Sequence, residues 1–347
     1  MSDNNKQIVF RSTEGKNYTD IKPFEEPIPE VSKHEILVKI KAVSLNYRDL
    51  IVSNGKYPFG IKDHVVPCSD GAGEVVKIGS AVRNIKVGDR VVFTFDPTAL
   101  YGVQKDWNNG LGSPVDGVLQ QYKTSLEDGV IKLPSDTHLS WGEAAAMVCT
   151  GVTAWNALYG GARFTAGQSV LLLGTGGVSI TTLILARAAG ATTIITSSSD
   201  EKLKYVKEKF GADHTINYRD HPDWEKEVLK LTSGQGVDYI IENGGSGTLL
   251  KSIASVKRGG NIALIGFLSE PKEYFDVVVP LMDKMATARG IAVGNKQLFE
   301  ELVQFVHAKK LHMPVEKEFS FTEENVHEAF SLLEGQSHIG KIVINVD

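Results

Sequence analysis

Two rhythms of apolar and polar positions divide the chain. From residue 35 the pattern is short and strand-like. "EILVKIKAVSLN" (35–46) mixes alternating and β-branched positions, and "GAGEVVKIGSAV" (71–82) and "VGDRVVFTF" (87–95) follow, each bounded by glycine. Gly88 and Asp89 form a turn before a Val-rich strand. Residues 100–116, "LYGVQKDWNNGLGSPVD", have no period and are long enough for a lid or for an excursion between strands. This part reads as a compact, mainly β domain.

The period changes near residue 140. "SWGEAAAMVCTGVTAWNAL" (140–158) consists of good helix formers, and strands and helices alternate after it. A strand at 169–173 leads through a glycine turn into a helix ended by Gly190. A strand at 192–196 leads into a helix over 200–210 ended by Gly211. A strand at 237–242, a helix near 247–257 and a strand at 261–266 complete the run. Such alternation with short connections predicts a doubly wound parallel sheet with helices on both faces. "ARGIAVGN" (288–295) reads as its outer strand, and a helix runs from there to about Lys310. The strand "GKIVINV" (340–346) has no neighbour nearby in sequence and is expected to return to the first domain.

The bulk numbers narrow the function classes. A chain of 347 residues holds about two domains. Hydrophobic residues at 42%, charged residues at 23% and a net charge of -5 give no basic footprint for nucleic acid. Two cysteines, Cys68 and Cys149, argue against a disulfide framework and fit a reducing compartment, while leaving a single metal ligand open. No signal peptide is visible in "MSDNNKQIVF". The uncharged run 164–186 is broken by Gly167, Gly174, Gly176 and Gly177, so a strand, turn and helix explain it better than a membrane span. A cytoplasmic protein is expected.

The glycine turn "VLLLGTGGVS" (170–179) nearly completes G-x-G-x-x-G, with Gly174, Gly176 and then Ser179. Gly174 permits the tight turn, and Gly176 lets the backbone approach a pyrophosphate at the start of the next helix. Ser179 is small enough to stand in for the third glycine. Gly177 and Val178 belong to the same turn. The motif is weak alone, but here it follows a strand and opens a helix. At the end of the second strand "TIITSSSDEK" offers Thr196, Ser197, Ser198 and Ser199 where an NAD site wants an acid. Small hydroxyls leave room for a 2′-phosphate, and Lys202 can meet it; Asp200 and Glu201 suit a helix start. NADPH is expected, NADH less so.

The β-rich first domain, "TGVTAWNAL", "LLLGTGGVS", "GADHTINY" and the returning last strand together resemble the medium-chain dehydrogenase/reductase superfamily over essentially the whole chain. Within it the chain is most similar to the zinc-free branch, the quinone oxidoreductase-like and alcohol dehydrogenase-like proteins. The resemblance implies a GroES-like β-rich catalytic domain from residues 1–138 and 306–347 and a Rossmann domain over 139–305. Zinc-dependent relatives place a Cys where this chain has Asn46 and a His-Glu pair where it has Ser69–Asp70; only Cys149 matches their third ligand. One strong ligand of three makes no catalytic zinc site. Residues 96–118 also lack the four cysteines of a structural site. His64, Cys68 and Asp70 lie in a Pro-containing loop and read as packing. No zinc is expected.

Without a metal, the negative charge that hydride transfer builds on oxygen must be met by hydrogen bonds or protons. That favours conjugated acceptors, whose charge is delocalised. The resemblance offers two catalytic candidates: Asn46, an amide that can donate to a substrate oxygen or hold an ordered water, and Tyr57 in "NGKYPFG" as a phenol donor. Asp49 matches a bracing position. The resemblance places Thr153 beside the nicotinamide and Tyr218 near the adenosine 2′-phosphate. Asn243 with Gly244, and Gly266, Phe267 and Leu268, follow two strand ends where α/β ligands bind. Lys341 is expected beside the cofactor cleft. The leading expectation is an NADPH-dependent reductase of an enal, enone or quinone. A zinc-independent alcohol dehydrogenase or carbonyl reductase is the nearest alternative, and a non-enzymatic NADPH-binding protein the alternative of another class. A homodimer is expected through the outer strand.

Overall fold

The computed structural model describes residues 5–266, 268–269 and 275–346. They form two compact units, Met1–Val152 with Val293–Asp347, and Thr153–Ala292.

The first unit opens with an antiparallel pair, β1 (Lys6–Ser12) and β2 (Ile21–Pro27). Then come β3 (Glu35–Ser44), β4 (Asp70–Ile78), β5 (Arg90–Phe93), β6 (Tyr122–Leu126) and β7 (Val130–Lys132). The second unit holds β8 (Ser169–Leu173), β9 (Thr192–Ser197), β10 (His214–Asn217), β11 (Val237–Glu242), β12 (Val256–Leu264) and β13 (Thr287–Gly290). The chain re-enters the first unit with β14 (Val315–Ser320) and β15 (Lys341–Asn345).

Among the described residues, the first unit's main sheet runs β14-β15-β3-β4-β5-β7, with β6 also paired to β3. The returning strand expected from the sequence is β15. It lies antiparallel to β3, with Val343 opposite Ser44 and Asn345 opposite Ala42. A core closes behind it from the strand residues Val38, Ile40, Phe93 and Ile342, the loop residue Val118, and Phe330 from the helix Glu323–Glu334. Burial along β3 alternates with the two-residue period of the strand only over its middle, Val38–Ala42, and both flanks are buried continuously.

The second unit is a parallel sheet in the order β10-β9-β8-β11-β12-β13. The chain starts in the middle and winds outward both ways, which is the doubly wound Rossmann arrangement. Near-continuous apolar runs such as "SVLLL" are buried on both faces, as parallel sheets require.

Several boundaries differ from the sequence reading. The helix over 140–158 is interrupted: Trp141–Ala146 passes through a π turn, Met147–Gly151, into Val152–Tyr159. The fifth strand begins at Val256 rather than 261, with Gly259 at φ +75° and a register shift against β11. The outer strand is only Thr287–Gly290, which covers three of the eight residues expected.

Candidate active site and dinucleotide turn

In the second unit, Gly174 takes φ +78°, leaving β8, and Gly176 is the N-cap of the helix Gly177–Ala188. No side chain caps that helix. A Cβ at Gly174 or Gly176 would meet nothing within 4 Å. Open space thus faces bare helix N–H groups, which suits a pyrophosphate. Ser179 does more than replace a glycine. Its hydroxyl donates to the Leu173 carbonyl at 2.8 Å, and Asn243 Nδ2 donates to Ser179 Oγ at 2.9 Å. A strand end, a helix start and the end of β11 are tied together at the missing glycine. Gly266 has a packing reason of its own, since a Cβ there would come within 2.1 Å of the Asn243 carbonyl oxygen.

The end of β9 carries Ser197 and Ser198, and the Tyr218 N–H donates to the Ser197 carbonyl at 3.0 Å. Ser199 caps the helix Asp200–Phe210 through the Lys202 N–H. Asp200 accepts from Asn217 Nδ2 at 2.9 Å. The acid nearest the expected ribose position is therefore engaged at a helix start. Ser197, Ser198, Lys202 and Tyr218 share this one end of the sheet. Thr153 is buried, Val178 sits in the first turn of its helix, and Leu268 is exposed. Phe267 lies outside the described residues.

In the first unit the loop after β3 turns straight into the helix Tyr47–Ser53, and Asp49 braces that turn by accepting from the Asn46 N–H at 2.8 Å. Around it four charged side chains meet under cover. Asp49 and Asp70 are fully buried, Lys341 is 2% exposed and the Arg48 side chain 10%. Asp70 accepts from Ser69 Oγ at 2.6 Å and from the Cys149 N–H at 3.0 Å. Lys341 Nζ donates to the Leu45 carbonyl and to Asn46 Oδ1, both at 2.6 Å, and lies 3.8 Å from Asp70. An ammonium can only donate, so the Asn46 atom facing it is the oxygen. Asn46 Nδ2 is left buried with no partner.

The sequence sets Lys341 with the cofactor residues; in the structure its ammonium lies on Asn46, a catalytic candidate. The other catalytic candidate, Tyr57, is held from one side by Arg48, whose guanidinium lies 5.1 Å from the Tyr57 ring centroid and 4.8 Å from that of Phe95. From the other side Phe59 packs edge-on to Tyr57 and stacks on Trp107 at 4.1 Å. This aromatic ladder joins the 53–60 loop to the 96–118 loop. Asp116 ties the latter down, accepting from Lys62 Nζ at 2.7 Å and from the Val66 N–H at 3.0 Å.

These charges shift one another. Burial works to lower the Arg48 pKa, but the Asp49 charge and the Tyr57 hydroxyl outweigh it and leave it raised. Burial pushes the Asp49 carboxyl up to about 6, with the Arg48 charge opposing. Cys149 is half-buried at the surface but its thiol is enclosed by protein. That enclosure, helped by Asp70, pushes it up to about 12. Zinc does not fit this donor set. The Asn46 oxygen is taken by an ammonium, and that same cation stands beside Asp70.

Asp49 gives a pH test. Its folded value lies above the ordinary carboxylate range, so the folded protein holds the proton more tightly than the unfolded chain. Its contribution to stability is therefore poorest above pH 6 and improves as pH falls from about 6 towards 4. Asp116 runs the other way: despite burial, Lys62 and the Val66 N–H hold it low, and its contribution is lost in acid. Between pH 7 and pH 5 wild type should gain roughly 1 kcal/mol over an Asp49→Asn variant in urea unfolding. A difference that does not change with pH would show that Asp49 does not titrate there.

Comparison with known proteins follows the two units. Residues 32–135 match the family described as alcohol dehydrogenase GroES-like domain, and residues 177–308 that described as zinc-binding dehydrogenase. A zinc-type alcohol dehydrogenase-like protein of Schizosaccharomyces pombe is 40% identical over 338 residues, covering 95% of this chain and 96% of the relative. A 2-methylene-furan-3-one reductase of Solanum lycopersicum is 30% identical over 92% of this chain and 73% of its own length. A solved structure from Sinorhizobium meliloti, described as an alcohol dehydrogenase, superposes with a TM-score of 0.88 at 36% identity, covering 98% of each chain.

Proposed function

Because the chain belongs to the medium-chain dehydrogenase/reductase superfamily and is an NAD(P)-dependent oxidoreductase, we propose that it reduces an activated C=C bond of an enal or enone, or a quinone, with NADPH and without zinc. The observation that carries the reading is the Asn46 amide nitrogen, a buried donor with no partner, in a cluster whose side chains do not suit a metal. Such a donor stabilises charge as it develops on a substrate oxygen. A conjugated acceptor needs no more than this, because its charge is spread over several atoms. Tyr57, fixed between Arg48 and Phe59, supplies a proton with the help of solvent. The relative from Solanum lycopersicum, named for an enone substrate, supports the same class.

The glycine turn at Gly174, Gly176, Gly177 and Val178 holds the dinucleotide, which when bound provides the hydride. Ser197, Ser198, Lys202 and Tyr218 receive the 2′-phosphate, and Thr153, Asn243, Gly266 and Leu268 are assigned to the cofactor with them. NADPH should therefore exceed NADH in kcat/KM by at least about tenfold, and Lys202→Ala should narrow that ratio. Equal use of both cofactors would refute the assignment. The proposed assembly is a homodimer, in the cytoplasm. Val279, Met282 and Met285 are 66%, 70% and 64% exposed just before β13, the outer strand of its sheet among the described residues. Light scattering should give twice the mass of 37.8 kDa, and a monomer would remove this claim.

Product identity tests the reaction. With NADPH and cinnamaldehyde the expected product is the saturated aldehyde. Cinnamyl alcohol would replace the reading with the carbonyl reductase one, which the alcohol dehydrogenase names of the relatives favour. Binding of NADPH with no oxidation by an enal, a quinone or a ketone would leave only a binding protein.

A further inference from the structure

Asn46 and Lys341 are 295 residues apart in sequence and joined by a 2.6 Å hydrogen bond. The ammonium is nearly inaccessible, and its known acceptors are a main-chain carbonyl and the Asn46 amide oxygen, with the Asp70 carboxylate next nearest. A buried cation in so fixed a place does two things to an amide. It dictates which end faces it, since only the oxygen can accept. It also draws electron density toward that oxygen, which makes the far N–H a stronger donor, as in any chain of hydrogen bonds that polarise one another.

We propose that Lys341 is a positioning residue that acts through Asn46: its ammonium locks the amide with Nδ2 turned away from it and strengthens that N–H as the donor to the substrate oxygen. A fixed positive charge is then delivered to the reacting oxygen one amide removed. This inference rests on the reading of Asn46 as the donor. It differs from a cofactor role for Lys341, which would act on NADPH affinity, and from a merely structural one, which would act on folding.

The test is a double-mutant cycle in the full-length protein, reading NADPH-dependent reduction of cinnamaldehyde. Asn46→Ala alone should lower kcat about 100-fold or more, and Lys341→Met alone about 10- to 100-fold, with NADPH Kd unchanged. The double variant should be no slower than Asn46→Ala, because Lys341 has nothing left to act through. Losses that multiply would overturn the proposal, as would a Lys341→Met effect confined to NADPH affinity. Lys341→Arg, which keeps the cation, should restore part of kcat and serves if Lys341→Met does not fold; an arginine variant as slow as a variant lacking the cation would count against the proposal. If Asn46→Ala left kcat intact, the reading of Asn46 would fail and the inference with it.

A second readout does not depend on turnover. The side-chain amide signals of Asn46, identified in ¹⁵N–¹H spectra by their loss in Asn46→Asp, should shift in Lys341→Met and be largely kept in Lys341→Arg. Unmoved signals in Lys341→Met would overturn the proposal even in an enzyme whose substrate lay elsewhere.

Discussion

In an Asn46→Ala variant, kcat for cinnamaldehyde reduction should fall about 100- to 1,000-fold, the loss expected when one preorganised oxyanion donor is removed. NADPH binding should be unaffected, because the glycine turn proposed to hold it lies in the other unit. The truncation also strips an acceptor from a buried ammonium, so part of any loss could come from local rearrangement. Asn46→Asp separates the two effects. It keeps the shape and the acceptor for Lys341 but has no N–H to offer, so the fold should hold while kcat falls as far as in the alanine variant. Full activity in Asn46→Asp would show that the amide donates nothing to the reaction. Loss of structure in both variants, seen by melting and circular dichroism, would show that Asn46 serves the fold.

Gly117→Ala should be the most damaging single methyl in the first unit. A Cβ at that position would sit 1.9 Å from the Cys68 carbonyl oxygen and 2.6 Å from that of Pro67. Both belong to backbone that cannot swing aside. Gly117 and Val118 donate to the Val66 and Cys68 carbonyls at 2.7 and 2.9 Å, and Cys68 already sits at φ +69°. The added methyl must therefore separate two segments joined by main-chain hydrogen bonds, one of which runs directly into Ser69 and Asp70. A cost of about 3 kcal/mol or more follows from overpacking of this severity. Gly88→Ala is the matched control. Gly88 has φ +88° but open space around its absent Cβ, so it should lose only about 1–2 kcal/mol of backbone strain. Equal destabilisation of the two variants in urea would mean that the 66–68 segment yields easily.

Much of the second unit was legible because each of its central strands and helices repeats one local rule. "SVLLL" is a buried strand, the glycines turn the chain, and the helix Asp200–Phe210 stops at Gly211 in the left-handed conformation at φ +71°. The first unit was less so. β2 is interrupted by Pro23 and Pro27, β1 offers only a short alternation, and the two pair with one another over their full length. The π turn at Met147–Gly151 has no propensity signature, because its composition is that of an ordinary helix. The candidate site was half readable. Asn46 and Tyr57 stood out by resemblance, and Asp49 as a brace. Nothing local around Lys341 reveals that β15 lies beside β3 in the register that sets its ammonium on Asn46. Arg48 was missed. Its charge looks like any helix-start residue until Tyr57 and Phe95 are seen on either side of it.

The return of β15 to β3 also fixes an order of events during synthesis. Lys341 leaves the ribosome 295 residues after Asn46, roughly 15 to 60 seconds later at common elongation rates of about 5–20 residues per second. The whole of Thr153–Ala292 is made in that interval and can fold as a continuous stretch. Throughout it, Ala42–Ser44 of β3 lack the strand that will cover them, and Asp70 stands without its cation. The nascent first unit thus waits with an open sheet edge and an uncompensated acid, the state most exposed to wrong pairing and to chaperone capture.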